Sequence, residues 1–226
     1  PMGTTHSNGA SDPANGAEIR LLEGALSLFS KKGYEGASVR EIIEEAGVTR
    51  PVLYYYFKNK EDLFRKLVRK CLAEMIADAD AVLEQADGCQ SCLEMLICNA
   101  FERAERNLDA VRLLVHVIFN PPEQAPGMLD EPLLDEWFAR LVKIMQAGLD
   151  RGELSGGEPE ALALAFNALM DFHMMVKSRY PSVTLTPDLG KGLVDLFLRG
   201  AGPGGVERLS LPNPFLVQVR EGGAWS

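Results

Sequence analysis

An all-α fold is what this sequence predicts, and three observations predict it. Apolar residues recur every three or four positions through most of the chain, the spacing of a helix face. Gly and Pro gather between those stretches, at Gly47, at Gly88, at Gly152, Gly156 and Gly157, and in GAGPGG. Strand-like alternation is absent until the tail segment LSLPNPFLVQVR, which is read as extended. A length of 226 residues suits a small N-terminal module and a larger second domain, each able to bury a core. The expected division is a flexible arm over 1–17, a small helical module over 18–65, a larger helical domain over 66–200 and a Gly/Pro-rich tail over 201–226.

The stretch SVREIIEEAGVTRPVLYYYFKNK reads as two short helices around a tight turn. Ser38 followed three residues later by Glu41 is a capping box, hydroxyl and carboxylate each satisfying the other residue's amide. Val39, Ile42, Ile43 and Ala46 give the first helix one apolar face. Gly47 stands where a chain leaving a helix turns left-handed. Thr49 is placed to cap the second helix, and Pro51 is tolerated there because first-turn amides have no intrahelical partner. Leu53 and Phe57, four apart, anchor this helix against the first, leaving Arg50, Tyr55 and Tyr56 to point outward. That arrangement lays a second helix in the major groove of DNA.

Asn59 is placed to cap a long helix from Lys60 to about Ala86, with Leu63, Leu67, Cys71, Met75 and Ala79 repeating every four residues. Gly88 ends it. Helices follow over about 90–107 and, capped by Asp109, to about Phe119. The loop NPPEQAPGMLDEP separates these from a helix beginning at LLDEW, with Leu134, Trp137, Phe138, Leu141 and Met145 on its apolar face. Two more run over about 158–179 and 187–200. The first of them is apolar nearly all round, so it must be buried on more than one side. Its Ala161, Ala165, Ala168, Phe172 and Met175 make a stripe suited to close approach by a second copy, with helix 187–200 joining it.

The chain is acidic overall, at −9, but unevenly so. Residues 18–70 carry eleven Lys/Arg against eight Asp/Glu, or +3; residues 71–226 carry twelve against twenty-three, or −11; Asp12 supplies the remaining −1. A small basic module on an acidic body suits a protein that meets DNA at one end only, and argues against a nonspecific coat. No run of about eighteen apolar residues suggests a membrane span, and residues 1–17 lack a secretory hydrophobic segment, so a cytoplasmic, nucleoid-associated location is expected.

At these residues the chain resembles the TetR/AcrR family of bacterial transcriptional regulators. The resemblance begins in EIRLLEGALSLFSKKGYEGASV with Ala25, Phe29, Gly33, Tyr34, Ser38 and Val39. It continues through Ile42, Ala46, Gly47, Val48 and Thr49 to Leu53, Tyr54, Tyr55, Phe57, Lys60 and Leu63, covering about residues 18–68. It implies double-stranded operator DNA as partner and Ser38, Val39, Arg40, Thr49, Arg50, Pro51, Tyr54, Tyr55, Tyr56 and Lys60 as the DNA-binding set. Arg50 and Tyr55 are expected at base edges, with Ser38, Tyr54, Tyr56 and Lys60 on phosphates. Many relatives have His where this chain has Tyr56, which exchanges a charge for a single hydroxyl. The resemblance also implies a homodimeric repressor, held by two helices per subunit and released from a pseudo-palindromic operator by a small effector.

Within the larger domain, Phe101, His116, Phe119, Trp137, Met145, Phe166, Met170 and His173 are the candidate lining of a site for a small hydrophobic effector, with Met128 and Met174 beside them. The two histidines are its preferred polar anchors. Cys89 and Cys92 form a CxxC at a helix start, where the dipole can lower a thiol pKa. That supports an alternative reading, a helical thiol-redox sensor switched by their oxidation. No catalytic motif is present, and neither a metal nor a cofactor is expected.

Overall fold

The computed structural model describes residues 13–120, 126 and 132–203; Met128 and the expected extended tail segment lie outside them. The described residues form α1 (Pro13–Gly36), α2 (Val39–Glu45), α3 (Arg50–Tyr56), α4 (Lys60–Gln85), α5 (Cys89–Arg106), α6 (Leu108–Phe119), α7 (Pro132–Asp150), α8 (Pro159–Arg179) and α9 (Pro187–Ala201). Helix α1 therefore starts inside the stretch read as an arm. It is interrupted at Gly33, whose φ of 70° turns the chain left-handed before the last helical residues.

Local chemistry explains the ends. The Ser38–Glu41 capping box is fully formed. Ala46 closes α2, and the amides of Gly47 (φ 61°) and Val48 return to the carbonyls of Glu44 and Ile43, the paired bonds of a Schellman turn. Asn59 caps α4 by accepting from the Asp62 amide. Two caps differ from expectation. Thr49 holds the N-cap position of α3 but its hydroxyl makes no capping bond. Asn107, not Asp109, caps α6; Asp109 falls in the first turn and pairs with Arg112.

Two cores result. The first joins Leu21, Ala25, Phe29, Ile42, Leu53 and Phe57 to Leu63–Leu72 of α4, and it also takes in Leu113 and Val117 of α6. The second gathers Ile76, Ala79 and Val82 of α4 with α5, α7, α8 and α9, around Phe101, Leu141, Met145 and Phe166. Helix α4 thus belongs to both, changing hands between Leu72 and Ile76, while α6 packs on α1 and on α8. The N-terminal module is consequently seated on two helices of the body.

Candidate functional site

The outward face of α3 is built by the sinking of its other face. Leu53 and Phe57 are fully buried, so Arg50, Pro51, Tyr54 and Tyr55 are left in solvent, with Tyr55 80% exposed. The Arg50 guanidinium lies 5.7 Å over the Tyr54 ring, and Tyr55 meets Tyr56 edge-on at 4.9 Å. A planar, always-charged fork and two phenols on one exposed helix face are suited to base edges and phosphate oxygens. Thr49, exposed and without a capping bond, has its hydroxyl available at the same end.

Other members of the expected set are engaged elsewhere. Ser38 donates its hydroxyl hydrogen to Glu41 at 2.7 Å while accepting from the Glu41 amide. Glu41 also takes Lys32 at 2.6 Å, and Lys32 and Ser38 together hold its carboxyl down at about 2. Arg40 pairs with Glu44 at 2.8 Å along the exposed side of α2, and Val39 is half-buried. Lys60 donates to the carbonyls of Tyr34 (3.0 Å) and Ala37 (3.2 Å) and sits 4.1 Å over the Tyr34 ring. Two of its three donors are thereby fixed, and the lysine pins the turn between α1 and α2 to the start of α4. Lys66 does the same for the end of α3, donating to the Tyr56 carbonyl at 2.9 Å.

The effector candidates do not converge on one hollow. Phe101, Met145 and Phe166 are wholly buried, Met170 and Trp137 nearly so, all inside the second core. His173 is half-buried beside Phe101, ring centroids 5.9 Å apart, and its Nδ1–H donates to the Leu169 carbonyl at 2.6 Å. His116 and Phe119 are not with them. Phe119 is 52% exposed at the end of α6. The His116 ring lies against Gly33, leaving 3.3 Å to where a Cβ would stand. Its Nδ1 accepts from Asn120 at 2.7 Å, which places the proton on Nε2, and burial lowers its pKa. Helical spacing marks apolar faces but cannot separate close-packed core from cavity wall, which is why the set divides. Two concavities of about 450 and 300 Å³ lie elsewhere, one around Cys89, Glu153 and Leu198, the other around Arg20, Gly24 and Glu45.

The cysteines run against the dipole argument. Burial, then the nearby Glu153 carboxylate, pushes the Cys89 thiol up to about 12; burial also raises Cys92 and Cys98 and takes Cys71 to about 11. Glu153 accepts the Cys89 backbone amide at 2.5 Å, so an anion already occupies the helix start that was to stabilise a thiolate. Thiols held this firmly protonated are poor nucleophiles. Among the described residues no three of His, Cys, Asp and Glu are grouped to hold a metal.

A polar chain on α7 and α8 was missed in the sequence. Trp137 Nε1–H donates to Asn167 Oδ1 at 2.9 Å, and Asn167 Nδ2 donates to Asp171 at 2.6 Å. Burial pushes the Asp171 carboxyl up to about 6. The available signal was a lone carboxylate inside the otherwise apolar run ALMDFHMMV. No described helix is long and apolar enough to cross a membrane.

Comparison with known proteins agrees with the geometry. Residues 21–67 match the family of bacterial regulatory proteins described as the tetR family. The HTH-type transcriptional regulator YezE of Bacillus subtilis is 30% identical over 155 residues, spanning 64% of this chain and 76% of YezE. The HTH-type transcriptional repressor AcnR of Corynebacterium glutamicum is 39% identical over 66 residues, 29% of this chain and 35% of that protein. In fold, the transcriptional regulator FadR of Bacillus subtilis, solved in complex with stearoyl-CoA, superposes with a TM-score of 0.72 at 18% identity, covering 80% of this chain and 98% of FadR. With a module that buries one side of α3 and exposes the other, and with these relatives, the chain belongs to the TetR family of bacterial transcriptional regulators.

Proposed function

We propose that the protein is a cytoplasmic homodimeric repressor that leaves a pseudo-palindromic operator when a small molecule binds its larger domain. The exposed face of α3 carries this reading, with Arg50 and Tyr55 on base edges and Thr49, Tyr54 and Tyr56 on phosphates. Lys60 and Ser38 enter as positioning residues, because their polar groups hold the α1–α2 turn and the start of α2. The dimer surface is narrower than the sequence stripe. Ala168, Phe172 and Met175 are exposed on one side of α8, and Leu196 is exposed on α9; Ala161 is buried and Ala165 packs against the body core. An apolar side chain such as Leu196, 63% exposed, is what a second copy would cover.

Two-fold symmetric subunits require half-sites about 34–36 Å apart or a multiple of it. An effector acts only through unequal affinity for two conformations. Helices α4 and α6 each contribute to both cores or to the contact between them, so displacement in the body must reach α3 through them. The FadR complex supports a ligand in such a body. Mobility shifts with DNA flanking the protein's own gene test the reading. Arg50→Ala should flatten discrimination among single-base operator variants, by about 1–3 kcal/mol per lost guanine contact. Ala168→Arg should give monomers in analytical ultracentrifugation. A wild-type protein that is monomeric, or that binds no such DNA, overturns the proposal.

A further inference from the structure

Helix α3 is short and lightly held from within. Of its seven residues only Leu53 is buried, and the Thr49 hydroxyl makes no capping bond. Its far end is held from outside, where the first two turns of α4 grip three successive residues. Lys66 Nζ donates to the Tyr56 carbonyl at 2.9 Å and lies 4.9 Å over the Phe57 ring. Asp62 Oδ2 accepts the Lys58 amide at 2.9 Å and stands 3.5 Å from Lys66 Nζ. Asp62 is itself set by Asn59, whose Oδ1 accepts the Asp62 amide at 2.8 Å. The same device recurs at the other helix ends of the module. Lys60 serves the Tyr34 and Ala37 carbonyls after α1, and Arg20 Nε donates to the Ala46 carbonyl, at the end of α2, at 3.3 Å. A cation at the C-terminal carbonyls satisfies orphan acceptors and complements the negative end of the helix dipole.

We propose that Lys66, with Asp62, is a positioning residue for α3, fixing the angle at which Arg50 and Tyr55 meet base edges rather than holding a phosphate. This role rests on the regulator reading above and identifies what keeps its reading face in register. A basic module would ordinarily send an exposed lysine beside α3 to the DNA backbone. Here the amine is turned inward, onto a carbonyl and a ring of α3 and its cap. A phosphate approaching it would also meet the Asp62 carboxylate, a like charge. The Tyr56 carbonyl is one residue from Tyr55, so a shift at this clip passes directly to a base-reading side chain.

The test uses the full chain and two duplexes of equal length, one from DNA flanking the protein's own gene and one of random sequence, each titrated across a salt series. Lys66→Met should weaken the flanking-DNA complex about tenfold, the worth of one good base contact. Random-duplex affinity should change less than about twofold, because backbone contacts carry nonspecific binding. The slope of log affinity against log salt should keep its wild-type value, whereas a lost phosphate contact lowers it by about 0.9. Lys66→Arg, which still offers a donor to the Tyr56 carbonyl, should recover flanking-DNA binding. Asp62→Ala separates the two roles by sign. Removing an acid beside DNA strengthens both complexes by charge alone, but releasing the Lys58 amide should weaken the flanking-DNA complex selectively. Either variant decides the matter should the other fold poorly. Unchanged flanking-DNA affinity in Lys66→Met, equal weakening on both duplexes with a flatter slope, or unchanged or tighter flanking-DNA binding by Asp62→Ala overturns the positioning role. A wild type that binds both duplexes equally, or neither, sinks the regulator reading and the positioning role with it.

Discussion

Six residues apart on α8, two enclosed charges are treated in opposite ways. Lys177, the more buried, has every donor occupied: Glu105 at 2.8 Å, the Val183 carbonyl at 2.8 Å and the Pro181 carbonyl at 3.1 Å. The second Glu105 oxygen takes the Leu185 amide at 2.7 Å. One ion pair thus bolts the end of α5 to the turn between α8 and α9. Among the described residues Asp171 has a single amide. A fully matched buried charge fixes a shape, whereas an under-matched one costs stability. The helix is therefore locked where it turns into α9 and carries a poorly matched charge in its middle.

Removing the lock should have the largest effect. Lys177→Met leaves Glu105 without its cation and two carbonyls without donors, which should cost about 3 kcal/mol. Urea denaturation at pH 7 and one fixed protein concentration measures it, since dimerisation would otherwise move the midpoint. The Leu185 amide, then Lys177, lower the Glu105 pKa below its ordinary 4.5. A depressed carboxylate stabilises fully above its unfolded pKa and loses that contribution as pH falls through the folded one. The wild-type advantage over Lys177→Met should accordingly hold at pH 7 and shrink below about pH 4. A loss under about 0.5 kcal/mol at pH 7 would mean the pair merely decorates the turn.

The contrast also marks what a sequence discloses. The Ser38–Glu41 box, the Gly47 turn and the Asn59 cap were readable because each is completed within a few residues. The burial of Leu53 and Phe57 followed from a four-residue spacing. The bonds of Lys60 to the Tyr34 and Ala37 carbonyls were not readable, because those partners lie 26 and 23 residues upstream. Glu105 finds Lys177 across 72 residues, which no local pattern encodes. The effector set divided for a related reason. Phe101, Met145 and Phe166 show the periodicity of a helix face, and a filled core and a cavity wall share it. Asp171 has no such local signature, because the Asn167 amide that serves it is oriented by Trp137, 34 residues away.

Asp171 should respond in the opposite sense to Lys177. Its pKa is raised from 3.8 to about 6 by burial, so ionisation weakens the folded state. The penalty is absent below the unfolded pKa and complete above the folded one, growing between about pH 4 and 6. Two units correspond to about 3 kcal/mol; solvent reaching a half-buried group reduces this to about 1–2. Asp171→Asn should thus match wild type at pH 4 and exceed it by that amount at pH 7.5. Urea midpoints across this range decide the matter. An Asn variant less stable than wild type at pH 7.5 would show that an unseen cation already serves the carboxylate.

The smallest expected change lies at the head of the chain. Trp137→Phe keeps the ring in the core but removes the N–H that holds Asn167 Oδ1. The cost should be about 1 kcal/mol, a single neutral hydrogen bond with little change in volume. Its consequence for Asp171 is sharper than its stability effect. Without the indole donor, Asn167 is free to rotate and present its carbonyl, so the carboxylate loses its one fixed donor and its pKa should climb further. Carbon-13 NMR of the Asp171 side-chain carboxyl would follow this directly. The midpoint should rise in Trp137→Phe, whereas the midpoint of Glu105, bolted at the far end of α8, should stay in place. A shift of both, or of neither, would mean that Trp137 only fills space and that Asn167 is oriented by something else.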